Sequence, residues 1–354
     1  MRAPRTEPRP ARRVLALLGM SLAASAAACL PDPGFDKRDL VKTPRILAII
    51  ADKPELAPGE AATLSVLFAD PRGGGRPVRF RWSACVGLES LGGGGTGFSG
   101  AQYGMMEAPP GCADPGARLD LGEGPTAVLA APPAAQIDLL IAQFRARVGD
   151  AIPVEFVERL LDEVGIQITV QVEALTPGDA GDTTLVAGFK RVLVSRRAER
   201  GTNPPRPRFA IGEEGVVSAY APGSEGFDCA SESGAPIVVP SGATVALRPD
   251  PTPADPDDDA TDEPWAGDPT CTDDDPVTEC YGVLDPQGFF ARKPESAFYT
   301  WNVTGGALFE GTTSRPTRDN EWTAPTTPGE VTVWLVTRDG HGGTAACRAL
   351  VTVR

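Results

Sequence analysis

The sequence predicts a mainly β protein, two β-sandwiches in tandem, the first carrying a loop and a two-helix insertion. Three observations predict it. Short runs of alternating apolar and polar residues recur along most of the chain, separated by Gly/Pro turns, as sandwich strands do. One central region instead carries apolar residues at helical spacing. The chain has 354 residues, enough for two domains of ordinary size, each able to bury a core.

The elements follow in order. Residues 1–28 read as a signal peptide: Arg2, Arg5, Arg9, Arg12 and Arg13 precede the apolar stretch 14–28, and Ala26-Ala27-Ala28 leads into Cys29. A basic start, a short apolar core and a small-residue exit mark export. A cysteine directly after the cleavage point resembles the lipobox of bacterial lipoproteins, with Cys29 as the lipidated residue, although Ala26 stands where leucine is usual. The alternative is a plain signal peptide and a secreted or periplasmic protein. Residues 29–43 are polar and contain proline, the texture of a tether. Residues 30–43 reach about 45 Å when extended, which places the first sandwich near the membrane. Leu30, rather than aspartate, points to outer-membrane sorting.

The first domain is expected over 44–202. Residues 46–50 form a short apolar strand, and 62–69 (ATLSVLFA) alternate Leu64, Val66 and Phe68 on one face. Residues 78–84 (VRFRWSA) turn Val78, Phe80 and Trp82 inward and Arg79 and Arg81 outward. An insertion at about 86–165 follows. Its first part, 86–131, is rich in Gly and Pro, including four glycines at 92–95, and reads as a long loop. Two helices come next, over 133–148 (Ile137, Leu140, Ile141, Phe144, Val148) and 153–164 (Val157, Leu160, Leu161, Val164). Each has one apolar stripe, so each is expected to pack on its own sandwich. Strands resume at 167–174 and 185–195.

Residues 203–207 (NPPRP) read as a semi-rigid proline linker. The second domain, 208–354, has short strands at 216–219, 237–239 and 243–247. Longer ones follow at 298–303, 330–338 and 344–353, the last two joined by the glycine-rich turn 339–343. The halves echo each other. Pro58-Gly59-Glu60 and Pro328-Gly329-Glu330 each open a strand, and Trp82 and Trp301 lie in similar strands. Trp82, Trp301, Trp322 and Trp334 are expected in the core or on a sheet face rather than in a sugar-stacking platform.

The segments RILAI, PELAPGEAATLSVLFADP, FRWSAC, TWNVTGG and WTAPTTPGEVTVWLVTRDGHGG together resemble lipoproteins of myxobacterial type built of tandem immunoglobulin-like or PKD-like β-sandwiches. The resemblance covers the strand-bearing parts of both halves and neither the glycine loop nor the acidic insertion. It implies the fold and a cell-envelope location, and it carries over no catalytic residue.

Charge and cysteines narrow the function. The net charge is −14, and loss of the signal peptide makes it −18, which disfavours nucleic acid. Setting Cys29 aside leaves an even six: Cys85, Cys112, Cys229, Cys271, Cys280 and Cys347. In an exported chain these read as disulfides, by proximity Cys85 with Cys112, Cys271 with Cys280 and Cys229 with Cys347, although fifteen connectivities are open. No CxxC is present and His341 is the one histidine, which argues against zinc.

The acidic insertion at about 250–280 holds ten aspartates, two glutamates and no Lys or Arg. Calcium is a possible ligand, with Asp255, Asp257, Asp259, Asp273 and Asp275 as the candidates. The EF-hand pattern fails, because Ala260 replaces the glycine and Ala266 the bidentate glutamate. A solvated insertion closed by Cys271 and Cys280 is the other reading, with Trp265 pinning it. His341 sits beside Asp339 in a turn expected to be mobile, a poor place for a catalytic imidazole. No catalytic motif appears. The expectation is a lipid-anchored, non-catalytic structural or binding module, with an envelope protein or glycan as partner and no cofactor. A calcium-dependent adhesin or glycan binder comes second and an envelope enzyme third.

Overall fold

The computed structural model describes residues 38–72, 76–86, 118–148, 153–178, 181–198, 200–213, 216–222, 226–249, 280–284, 290–294, 297–314 and 319–354. The chain is mainly β, in two halves with the same strand order. The first half contains β1 (Arg45–Ala51), β2 (Glu55–Leu56), β3 (Ala61–Ala69), β4 (Arg79–Val86), β5 (Leu119–Glu123) and β6 (Thr126–Ala130). It continues with α1 (Ala134–Val148), α2 (Val154–Glu163), β7 (Ile166–Pro177) and β8 (Thr183–Val194). Its sheets run β1-β3-β6 and β2-β8-β7-β4-β5.

The second half contains β9 (Phe209–Glu213), β10 (Val216–Pro222), β11 (Cys229–Ser231), β12 (Ile237–Val239), β13 (Thr244–Pro249), β14 (Cys280–Leu284) and β15 (Phe290–Pro294). Then come β16 (Phe298–Val303), β17 (Ala307–Leu308), β18 (Thr312–Ser314), β19 (Asn320–Thr323), β20 (Gly329–Arg338) and β21 (Thr344–Val353). One sheet runs β11-β10-β9-β13-β19-β17 and the other β12-β21-β20-β16-β18. The core strands therefore correspond one to one, β9-β13-β19 to β1-β3-β6 and β12-β21-β20-β16-β18 to β2-β8-β7-β4-β5. Even the short parallel pairs match, β2 on β8 and β12 on β21. The hairpin β14–β15 stands apart and leans on the first half, where Phe290 meets Phe156 at 5.2 Å and lies under the Arg159 guanidinium at 4.4 Å.

Each half has its own core. In the first, Trp82, Leu64, Leu129, Val170 and Val172 pack with Ile137 and Ile141 of α1 and Val157, Leu160 and Leu161 of α2. These described residues of the two helical stripes thus lie in the core of their own half. Gly165 ends α2 at φ +83°, where a Cβ would press on Val194 O at 3.0 Å, so glycine suits this left-handed stop. In the second half Trp301, Trp322, Phe209, Leu247 and Leu335 form the core. The Trp82 indole donates to Gly124 O at 2.8 Å and Trp322 to Gly305 O at 3.0 Å, so neither buried N–H is stranded.

A third cluster lies between the halves. Ala48, Leu67 and Ala69 of β1 and β3 meet Trp334, Val336 and Ala346 of β20 and β21, with Val41 buried among them. On their other faces, Ile49, Ala51, Leu64 and Val66 serve the first core, while Val333, Leu335 and Cys347 serve the second. The sheets on either side of this seam are buried on both faces there, and residues 38–354 form one compact unit.

Four expectations change. Part of the stretch read as a long loop is strand: β5 pairs with β4 and β6 with β3, the chain switching sheets at Gly124-Pro125. The proline linker is no free spacer. Asn203 Nδ2 donates to Ala51 O at 2.7 Å and Asn203 Oδ1 accepts from Thr344 N at 2.9 Å, so one side chain ties both halves. The end of the tether is also packed. Val41 N donates to Val303 O at 2.8 Å and Val303 N to Asp39 O at 2.9 Å, so the tether's last residues pair with the second half. Finally, the Pro-Gly-Glu echo joins unequal strands, since β3 corresponds to β13 and β20 to β7. The two tryptophans do sit on equivalent strands, β4 and β16.

Cys229 and Cys347 form a disulfide with Cα atoms 5.6 Å apart, closing a separation of 118 residues and joining the edge strand β11 to β21. A loop of that length constrains the unfolded chain strongly. Replacing both cysteines by serine is expected to cost about 2–5 kcal/mol in denaturant unfolding, with the second half losing protection first in hydrogen exchange.

Candidate functional site

Titratable side chains converge on the seam rather than on an open cleft. The turn between β20 and β21 is built on Asp339, whose Oδ1 accepts the N–H groups of His341 (2.7 Å), Gly342 (3.0 Å) and Gly343 (2.9 Å). Glycine is required at 343 because a Cβ there would strike the Asp339 carboxylate and Pro204. The turn expected to be mobile is therefore packed, with the proline segment against it. Asp339 is buried and its Oδ2 has no hydrogen-bond partner among the described residues. Burial pushes its pKa up, against the downward pull of the His341 N–H and the nearby Lys190.

Lys190 comes from β8 in the first half, where it shares a sheet face with Val192 and Val194 and stands opposite Val170. Its Nζ donates to Gly342 O at 2.6 Å and to Thr344 Oγ1 at 3.1 Å. The side chain is 7% exposed, and burial lowers its pKa to about 8 while Asp339 opposes that fall. An ammonium and a carboxylate from different halves are thus sealed together.

A second knot lies alongside. Glu55, buried on β2, accepts from Ser195 Oγ and from Gly201 N at 2.7 Å, with Arg197 Nη1 at 3.7 Å. His341 stacks on Tyr281 of β14, ring centroids 4.2 Å apart. A Cβ on Gly201 would lie 3.1 Å from His341 Nδ1 and 3.3 Å from Glu55 Oε2, so the bare backbone lets these groups close in. Chemically the arrangement holds two halves in one register. Its amine and carboxylate are enclosed, not presented to a substrate.

The open surface offers less. A cleft of about 420 Å³ is lined by Val78, Arg79, Phe80, Glu123, Gly124 and Pro125, with Arg79 and Glu123 exposed to solvent. Among the described residues no three His, Cys, Asp or Glu side chains group closely enough to hold a metal, and no helix is long and apolar enough to cross a membrane.

Of the residues singled out from sequence, Cys29, Cys112, Cys271, Asp255, Asp257, Asp259, Asp273 and Asp275 lie outside the described residues, as does Trp265. Cys85 is disulfide-bonded, and Cys280 is the first residue of β14. Sequence reasoning passed over Lys190, Glu55 and Asn203. Lys190 had a usable signal, since it falls on the same parity as Val192 and Val194 in LVAGFKRVLVS. Asn203 had none, because an asparagine before prolines reads as a turn.

The chain matches no family model and no curated protein by sequence. Among solved structures it aligns with a mutant of Salmonella alpha-2-macroglobulin at 12% identity and a TM-score of 0.21, over 88% of this chain and 16% of that one. It also aligns with the D0-D1 domain of intimin (13% identity, TM-score 0.17, 87% and 98% coverage). A third is the N-terminal Ig1-2 module of the Drosophila receptor protein tyrosine phosphatase DLAR (11% identity, TM-score 0.17, 88% and 99%). The chain spans about a sixth of the alpha-2-macroglobulin, and at these scores the strand pairing above, not the alignments, defines the fold.

Two outcomes are expected at the seam. Asp339→Ala strips the acceptor from three N–H groups and should lower stability by about 2 kcal/mol, whereas Asp339→Asn keeps Oδ1 and should lose much less in the same urea titration. The pH dependence has a definite sign. Above pH 8 folded Lys190 sheds a proton that the unfolded chain keeps up to its ordinary 10.5, so stability gains a rising contribution between about 8 and 10.5. That rise should be missing in Lys190→Met when unfolding is measured across the window.

Proposed function

We propose that this is a lipid-anchored cell-envelope protein, of the myxobacterial lipoprotein type, whose two immunoglobulin-like sandwiches act together as one non-catalytic binding or spacing module. Cys29 carries the lipid, the outer membrane is the expected location, and an envelope protein or glycan is the expected partner. The observation that supports a module over an enzyme is the seam. Among the described residues, buried Lys190 is spent on Gly342 O and Thr344 Oγ1 of the other half, Asp339 on the N–H groups of its own turn, and Glu55 on Ser195 and Gly201. Two halves fixed to each other present their loops at a constant spacing, which suits recognition by loops carried on a rigid scaffold. The acidity of the chain fits a partner that is not nucleic acid.

Mass spectrometry of the mature protein from its native membrane tests the anchor. The expected N-terminus is Cys29 bearing acyl chains, and Cys29→Ala should move the protein from the membrane pellet to the soluble fraction. An unmodified N-terminus downstream of residue 29 would refute the lipoprotein reading.

A further inference from the structure

The segment just before the first strand makes contacts that a connecting segment does not need. β18 pairs with β16 only along Phe298–Thr300, which leaves the edge of β16 free at its far end. Asp39, Leu40 and Val41 fill that gap as a short parallel strand, Leu40 bridging to Val303. Two backbone hydrogen bonds hold it, at 2.8 and 2.9 Å. Asp39 packs on Gly311, where a Cβ would be 3.3 Å from the Asp39 Cβ. The two apolar side chains then divide. Leu40 packs on the core of the second half and Val41, 1% exposed, on the seam. Arg45, at the start of β1, donates back to Arg38 O. Within a few residues the chain has touched the second core, the seam and the first sheet.

We propose that residues 38–43 are a strap that latches the two halves, and that peeling it opens the seam while both cores stay folded. The strap belongs to neither core cluster as a buried member, so its loss strips little from either. Two backbone hydrogen bonds and two side chains hold it, the kind of short, lightly held element that opens early. Val41 is a buried member of the seam cluster that holds Trp334 and Val336. The proposal does not depend on the lipid reading, since it rests on contacts from Asp39 onward.

Tryptophan fluorescence can read the opening, because Trp82, Trp301 and Trp322 are in the two cores and Trp334 is in the seam. In a full-length Trp265→Phe background, Leu40→Asp with Val41→Asp should add the acrylamide quenching of one tryptophan. Trp334→Phe should abolish that gain. The far-ultraviolet circular dichroism should be retained, and the Val303 amide should exchange about tenfold faster or more. Unchanged quenching would mean that the seam stays shut without the strap, and would overturn the proposal. Quenching spread over the core tryptophans would overturn it too, by making the strap part of the fold rather than a latch. If the double variant does not fold, Val41→Ala decides by the same readout: a gain that requires Trp334 supports the latch, and any other result removes it.

Discussion

Two sheets in this protein have no solvent face over part of their length, and the architecture depends on that constraint. A sheet in an ordinary sandwich buries one side and wets the other. Here β1 and β3 bury Ile49, Leu64 and Val66 on one side and Ala48, Leu67 and Ala69 on the other. β20 and β21 do likewise with Leu335 and Cys347 against Trp334, Val336 and Ala346. Separating the halves would expose Trp334 and its neighbours to water, a patch that isolated sandwiches do not tolerate well. The two halves are therefore distinct in their cores and joined at their faces.

An apolar seam alone would permit sliding, because hydrophobic contact is not directional. The polar groups beside it remove that freedom. Lys190 reaches from β8 to Gly342 O and Thr344 Oγ1, and Asn203 binds Ala51 and Thr344 with its two amide ends. Arg338 Nη2 donates to Leu47 O at 3.2 Å. Each of these bonds is satisfied at one relative position of the halves. Burying an ammonium and a carboxylate costs desolvation that their attraction does not reliably return, which is why Lys190 is pushed down and Asp339 up. What the pair supplies is register.

The limits of the sequence have the same origin. Alternation is readable when one face is wet, so β4 was found with Trp82 inward and Arg79 and Arg81 outward. It fades where both faces are buried. The runs VLFA in β3 and VWLV in β20 lack an outward polar residue, and a two-faced environment makes a strand read as a continuous apolar run. That lost alternation was the visible trace of the seam. β5 and β6 were hidden for a different reason. Their outward residues include Leu119 and Val128 and lie within a glycine-rich stretch, so composition outweighed pattern. Asn203 and Val41 were illegible in principle, since their roles come from segments about 140 and 260 residues away in sequence.

The insertions extend this logic beyond the sheets. α1 and α2 interrupt the first half and β14–β15 interrupts the second, and Phe290 with Phe156 and Arg159 brings the two interruptions together. Gly282 shows how close the approach is, since a Cβ there would collide with Glu163 O. The chain between Pro249 and Cys280, which carries the aspartates, therefore starts at a sheet of the second half and returns at a hairpin resting on a helix of the first. The contact between the halves thus extends past the seam, because the hairpin of the second half rests on a helix of the first.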